Sequence, residues 1–354
     1  MSAAPALLVT RDDALLDDVL RLAAAAGTTL DVAHDATSAL RGWSAAGLVL
    51  VGADLAPALA TQSPSRRSAV HVVVSGHAGD GLFRSALGVG AVDVVELPAG
   101  DAWLVELLTD AADGESGQAP VLGVVAGSGG AGATTFAVAL GLTAARVAPA
   151  VLLDLDALGP GVDRVVGLGP ESGVGIGWDA LVGSRGRLGS RSLREALPRR
   201  AGLAVVTWRA GVAATPDAVS VREVLSAARR GHDLVVVDLP RQLDEVAVEV
   251  VARCDTVLMV VEATVPSVAS AGRVAEQLRP WSDRLGVVVR GGGSLLSGDQ
   301  VAVALGMPLL AEVPRHRRLA EHLDLGLGPV HSPRSPLARA ARQALTVVDQ
   351  GHAA

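Results

Sequence analysis

A glycine-rich loop between an apolar strand and an apolar helix constrains this chain more than any other feature. The strand is predicted over Val121 to Ala126, and the loop follows as GSGGAGATT from Gly127 to Thr135. Glycine lets a backbone approach a phosphate group closely, and N–H groups at the start of a helix attract the phosphate charge. The order of strand, loop and helix therefore predicts a nucleotide-binding α/β domain.

The loop lacks the cation that a phosphate-binding loop normally carries. Ala133 stands where a lysine would hold the phosphate, and all 30 basic residues of the chain are arginine. Without that charge we expect hydrolysis to be very slow or absent, and we assign no catalytic residue. Backbone N–H groups can still bind ATP or ADP weakly. The predicted cofactor-binding residues of the loop are Gly127, Ser128, Gly129, Gly130, Ala131, Gly132, Ala133, Thr134 and Thr135.

Composition indicates a globular protein and argues against nucleic acid as a partner. The chain has 354 residues, of which 50% are hydrophobic, enough for two cores. Aromatic residues make up 2% of the chain, so a stacking surface for bases is not expected, and we assign no nucleic-acid partner. No run of about 18 apolar residues and no signal-peptide pattern is seen. Together with a single cysteine, Cys254, interpreted as part of a buried strand, this predicts a cytoplasmic protein without integral membrane contact.

The alternation of apolar runs and helical patterns predicts two domains. Residues 1–110 contain five short apolar runs separated by helices, residues 111–120 are polar and form a linker, and the alternation restarts over residues 121–354. Buried runs of this kind indicate parallel strands with helices on both faces. The predicted fold class is α/β, with two doubly wound, three-layer domains.

The first domain resembles a CheY-like receiver whose phosphorylation site has been lost. Asp12 and Asp13 follow the first strand and Pro98 follows the fifth, as in that family. Gly52 stands at the phosphoacceptor position and Leu97 replaces the lysine. Asp54 comes two residues late, and we expect it to face differently. The resemblance therefore implies a pseudo-receiver that works as a protein-interaction domain.

The second domain resembles the MinD/ParA ATPases. The two lysines of that family's loop fall at Ser128 and Ala133, while Thr134 remains for Mg²⁺. Asp154 and Asp156 match the acidic pair of the family's switch I, and Asp238 matches the strand-end aspartate that holds Mg²⁺. The resemblance thus implies cofactor-binding roles for Asp154 and Asp156, and a metal site of Thr134 and Asp238.

A degenerate receiver followed by a MinD-like domain resembles the CpaE/TadZ proteins and the actinobacterial septum-site-determining (Ssd) branch. The resemblance implies a scaffold that localises a septum-related or Flp/Tad pilus-secretion machine and is recruited to a pole or septum. It implies protein partners, either a pilus or secretion ATPase or the division machinery, and a homodimer.

Three alternatives remain open at this stage. The chain is also consistent with an active ATPase that receives an arginine from a partner. The loop spells G-x-G-x-x-G through Gly127, Gly129 and Gly132, with Asp154 about 20 residues on, as in an NAD-binding Rossmann enzyme. Finally, the loop is consistent with a tight turn that binds nothing.

Two predictions concern regions away from the loop. His316 and His322 lack the i, i+4 spacing of metal ligands, so both are interpreted as surface histidines. The C-terminal helical pattern places Leu337, Ala341 and Val348 on one side, which predicts packing on the second domain.

Overall fold

Buried apolar runs form the strands of two separate sheets in this computed structural model. The structure describes residues 6–112, 119–169, 176–182, 188–208, 216–291 and 296–353. The chain divides into two units, Met1–Gly117 and Gln118–Ala354. Most of the predicted linker, 111–120, lies outside the described residues.

The first unit is a five-stranded parallel sheet in the order β2-β1-β3-β4-β5. Helices cover both of its faces, and each face has its own hydrophobic core. The elements are β1 (Ala6–Val9), α1 (Asp13–Ala25), β2 (Leu30–Ala33), α2 (Ala36–Trp43), β3 (Val49–Gly52), α3 (Ala56–Thr61), β4 (Val70–Ser75), α4 (Asp80–Val89), β5 (Asp93–Leu97) and α5 (Asp101–Ala112).

The acidic pair after β1 lies at the N-terminus of helix α1 and stabilises it. The Asp12 side chain accepts hydrogen bonds from the backbone N–H groups of Ala14 and Leu15, and Asp13 lies in the first turn of α1. A carboxylate at this position satisfies free N–H groups and interacts favourably with the helix dipole. These contacts account for both residues as a helix cap.

Asp54, which the sequence predicts to face differently from the residue at position 52, places its carboxylate beside Gly52. A Cβ built on Gly52 would lie 2.3 Å from Asp54 Oδ1, so the carboxylate of Asp54 fills the space beside Gly52. It accepts hydrogen bonds from Thr10 Oγ1 at 2.9 Å and from the Arg11 N–H at 2.7 Å. The carboxylate is therefore held in place by the turn after β1.

The second unit contains an eight-stranded sheet in the order β13-β12-β11-β6-β10-β7-β9-β8 within the described residues. Its first elements are β6 (Val121–Ala126), α6 (Ala133–Ala144), β7 (Ala150–Asp154), α7 (Val162–Val166), α8 (Trp178–Leu181), α9 (Ser190–Ala196), β8 (Arg199–Arg200) and β9 (Leu203–Val206). The remaining elements are α10 (Ala218–Gly231), β10 (Leu234–Asp238), α11 (Glu245–Val251), β11 (Thr256–Glu262), α12 (Val265–Leu278), β12 (Leu285–Arg290), α13 (Gly298–Leu305), β13 (Leu309–Val313), α14 (Leu319–Asp324) and α15 (Pro336–Ala353).

The predicted α/β fold class is confirmed, with two local corrections. The short edge strand β8 pairs with β9 in the antiparallel sense, so the second sheet is mixed at one edge. Cys254 lies between α11 and β11 instead of within a strand. Burial raises the pKa of its thiol to about 12, and the side chain packs, partly buried, against the core of the second unit.

The C-terminal helix packs on the second unit, as its apolar side predicts. Leu337, Ala341 and Val348 are buried in the same core as α6. Among the described residues, no helix is long and apolar enough to cross a membrane.

Candidate functional site

An open cavity of about 1210 Å³ lies at the carboxyl end of β6. In the sheet β6 has β11 on one side and β10 on the other. The chain continues from β6 to β7 on the β10 side and later reaches β11, β12 and β13 on the opposite side, so the strand order reverses at β6. Ligands of doubly wound sheets bind at such switch points. The cavity is lined by loop residues Gly129 to Thr135, by Asp156 and Asp238, and by residues that follow β12 and β13.

Two glycines of the loop are required by its geometry. A Cβ on Gly127 would approach Ala271 Cβ to 2.8 Å and Val261 Cγ2 to 2.9 Å, because the backbone runs tightly between β11 and α12. Gly132 precedes α6 with φ of 92°, a left-handed conformation that favours glycine. No side chain caps the start of α6. Its first N–H groups are therefore available to an anion.

The two positions that match the family's lysines now have other contacts. Ser128 Oγ lies 3.0 Å from Ser267 Oγ on α12, so this hydroxyl pairs with the neighbouring helix. Ala133 is 7% exposed and joins the core beneath α6. Neither position supplies charge to the cavity.

Strand pairing brings two aspartates together at the edge of the cavity. Asp238 at the end of β10 pairs in register with Asp154 at the end of β7. Burial and the neighbouring Asp154 charge raise the pKa of Asp238 to about 8, against a lowering hydrogen bond from Thr134. Burial raises the pKa of Asp154 to about 6. Asp154 and Asp238 together therefore carry less than two negative charges at neutral pH.

Asp154 organises the surrounding backbone. Its carboxylate accepts hydrogen bonds from the N–H groups of Asp156 at 3.2 Å and Val162 at 3.1 Å, and from Thr207 Oγ1 at 2.9 Å. The indole of Trp178 donates to its carbonyl oxygen at 2.6 Å. Asp154 is 1% exposed, so its carboxylate is not open to a ribose, and the geometry disfavours the Rossmann alternative. Asp156, in contrast, lines the cavity.

Arginines from outside the loop line the cavity, namely Arg241, Arg290, Arg315 and Arg317. Arg290, at the end of β12, donates from Nη1 to the carbonyl oxygens of Gly130 at 3.1 Å and Ala131 at 3.0 Å. Arg241, which follows β10, comes within 4.0 Å of a Cβ built on Gly129. The available signal was Arg290 itself, which directly follows the apolar run of β12.

The residues present fit Mg²⁺ at the strand-end aspartate. Asp238 is 2% exposed, and its Oδ2 atom is buried with no hydrogen-bond partner among the described residues. A buried carboxylate oxygen without a partner is costly unless a proton or cation satisfies it. Thr134 contacts the same carboxylate, and hydroxyl and carboxylate oxygens are ligands that Mg²⁺ prefers.

His316 and His322, interpreted from the sequence as surface histidines, are half-buried and lie close together. Their ring centroids lie 5.4 Å apart, and His331 packs against both. Sequence spacing missed this cluster because the three residues come from a helix and the segments on either side of it.

Comparisons with known proteins agree with this architecture. A family model described as the Rv3660c-like, CheY-like N-terminal domain matches residues 9–119. The chain is 37% identical over 349 residues to the uncharacterized protein Rv3660c of Mycobacterium tuberculosis (strain ATCC 25618 / H37Rv). The matched region covers 95% of this chain and 96% of that protein.

Solved structures of MinD share the fold. The MinC:MinD cell division protein complex of Aquifex aeolicus matches with a TM-score of 0.54 and 22% identity, over 66% of this chain and 96% of that chain. The septum site-determining protein MinD complexed with Mg-ADP from Pyrococcus horikoshii OT3 matches with a TM-score of 0.54 and 20% identity. This match covers 66% of this chain and 97% of that chain. At these identities the likeness shows the fold alone. The chain therefore belongs to the family of Rv3660c, with a CheY-like N-terminal domain followed by a unit that has the fold of MinD.

Proposed function

We propose that this protein is a spatial regulator of the MinD kind, which binds ATP or ADP with Mg²⁺ and acts by docking protein partners. The observation that carries the proposal is the cavity at the end of β6. It keeps the phosphate loop, Thr134 and Asp238, and it replaces the loop lysines with Arg241 and Arg290.

The arginines favour binding of the phosphate groups. Arg290 is fixed against the loop through its bonds to Gly130 and Ala131, and it remains part of the cavity wall. A guanidinium carries five N–H donors, so these contacts leave other donors for phosphate oxygens. Together with the uncapped start of α6, Arg290 gives the cavity a positive potential although both loop lysines are absent.

Hydrolysis is disfavoured by the same geometry. The family's first lysine position is a serine bonded to Ser267, and its second is the buried Ala133. No cation therefore extends from the loop itself toward a transferring phosphoryl group, which needs charge at defined positions. The protein accordingly holds its nucleotide as a structural ligand.

Protein contacts then carry the function. MinD of A. aeolicus is found in a complex with MinC. By analogy, we propose that residues 121–354 dock a protein partner or a second copy of this chain, and that residues 1–110 form a separate interaction domain. The resemblance to the CpaE/TadZ proteins and the Ssd branch favours a machine of the septum or of a Flp/Tad pilus, with recruitment of a cytoplasmic protein to the septum or pole.

The proposal is tested by measuring ATP binding and turnover with purified protein and Mg²⁺. We expect ATP to raise the melting temperature, and Arg290→Gln to weaken binding at least tenfold. Arg273→Gln on the exposed face of α12 removes an equal charge and should leave binding unchanged. Absence of a thermal shift at millimolar ATP would contradict nucleotide binding. Steady turnover that Asp238→Ala abolishes would contradict the non-hydrolytic role.

An active ATPase completed by a partner is the second candidate. It is favoured by the arginines of the cavity wall, which bring charge to the site from outside the loop. Turnover that begins only when a partner protein is added would support this candidate over the first.

A further inference from the structure

Three histidines converge at the edge of the cavity, and one of them, His316, lines it. His316 follows β13, His322 lies in α14, and His331 lies between α14 and α15. Each ring offers one nitrogen atom, and these three atoms all lie within 4.8 Å of one another. Three of the eight histidines of the chain are thus gathered in a single short segment.

The rings form a mutual cluster with unsatisfied nitrogen atoms. Their centroids are separated by 5.4 Å for His316 and His322, 5.9 Å for His316 and His331, and 4.5 Å for His322 and His331. The Nδ1 atoms of His316 and His322 are buried and have no hydrogen-bond partner among the described residues. Leaving a buried polar atom without a partner typically costs about 1–3 kcal/mol. A ligand that accepts nitrogen lone pairs would remove this cost.

Backbone contacts hold the segment in this arrangement. The N–H of Leu319 donates to the His316 carbonyl at 3.2 Å, and the N–H of Leu327 donates to the His322 carbonyl at 2.9 Å. Gly328 has φ of 72°, and a Cβ there would lie 3.1 Å from the Val166 carbonyl oxygen at the end of α7. The close packing against α7 places the three rings together without a ligand.

We propose that His316, His322 and His331 form a binding site for a late divalent transition metal, with Zn²⁺ as the preferred ion. Three imidazoles without a carboxylate suit Zn²⁺, Ni²⁺ or Cu²⁺ and do not suit Mg²⁺ or Ca²⁺. Zn–N bonds of about 2.0–2.1 Å in a tetrahedral site place ligand nitrogens about 3.4 Å apart. Ring movements on the order of 1 Å close the present cluster to that geometry.

The exposed side of the cluster leaves room for a fourth ligand. His331 is exposed, while His316 and His322 are half-buried. A site with three protein ligands keeps one position for water or another solvent-borne group. Glu321 beside His322 is engaged with Arg318, at 2.9 and 3.2 Å, so it is not the fourth ligand.

Metal at this site would stiffen a wall of the nucleotide cavity. His316, Leu319 and Leu323 line that cavity, and the three histidines bracket the same residues in sequence. Metal binding at these histidines does not require a bound nucleotide, so this proposal can be right or wrong independently of the proposed function.

The test is a metal titration of the full-length protein, stripped of metal and freed of any histidine tag. Zn²⁺ is added in competition with a chromophoric chelator and in millimolar Mg²⁺, which occupies oxygen sites. We expect one equivalent of tight Zn²⁺. With Co²⁺ as a probe, we expect the visible absorption bands of a four-coordinate ion.

Variants assign the binding to the cluster. His331→Ala removes an exposed side chain, and we expect it to weaken Zn²⁺ binding at least tenfold with an unchanged melting temperature of the metal-free protein. His322→Gln should weaken binding similarly. The control is His77→Ala, because the His77 side chain is 98% exposed and lies in the first unit. The absence of Zn²⁺ binding, or binding that both cluster variants leave unchanged, would overturn the proposal.

Discussion

Replacing Asp238 by asparagine should stabilise the metal-free protein at neutral and alkaline pH. The pKa of this carboxyl rises from 3.8 to about 8 on folding, because the group is buried and faces Asp154. Between these values the folded state binds more protons than the unfolded state, so stability must fall as the pH rises. At about 1.4 kcal/mol per pKa unit, the charged carboxylate costs at most about 6 kcal/mol. Relaxation and water entry reduce that limit, and we expect a gain of about 2–4 kcal/mol for Asp238→Asn at pH 8.

Urea unfolding followed by tryptophan fluorescence at pH 5, 6.5 and 8, without metal, measures this effect. The wild-type protein should lose stability across the series, and the variant should lose much less. Asp233→Asn is the matched control, since it removes the same charge from an exposed position at the other end of β10. Mg²⁺ should stabilise the wild type at pH 8 but not Asp238→Asn. Equal pH dependence of the wild type and Asp238→Asn would refute the reasoning.

Three further substitutions test other parts of the site. Thr207→Val removes the hydroxyl that donates to Asp154 at 2.9 Å, and chemical unfolding should show a loss of about 1–2 kcal/mol. Ala133→Lys should not restore ATP hydrolysis, because the other family lysine is still absent; a phosphate-release assay with robust turnover would contradict this. Gly167→Ala should cost more than about 3 kcal/mol, because φ is 81° and the new Cβ would lie 2.1 Å from the Gly326 carbonyl oxygen. A thermal melt within about 2 °C of the wild type would contradict that expectation.

Sequence patterns were informative wherever a feature is local. Short apolar runs predict the strands, and the glycines of the loop predict a close turn between β6 and α6. Asp238 follows a continuous apolar run, so its place at a strand end can be inferred without coordinates. Parallel strands bring their carboxyl ends to one edge, and for this reason Asp238 and Asp154 could be expected near the loop.

Features that depend on distant contacts were not predictable. Arg290 reaches loop carbonyls that lie 160 and 159 positions earlier in the chain. The histidine cluster depends on how the segment around α14 folds back on itself, and no periodic pattern records that. Asp54 turns toward Gly52 because Thr10 and the Arg11 N–H hold its carboxylate, whereas alternation along a strand says nothing about the turn that follows it.

The hydrogen bonds of Asp154 bear on how far this protein can act as a moving switch. One residue joins the end of β7, the start of α7, the residue after β9 and the indole of Trp178. Swinging the segment between Asp154 and Val162 outward would break the bonds from the Asp156 and Val162 N–H groups and leave the Asp154 carboxylate with Thr207 as its remaining donor. A ligand that moves this segment must therefore bind one of the two conformations much more tightly than the other. Under the proposed function, partner docking would then depend on a fixed surface of this protein and not on one that changes shape with each nucleotide.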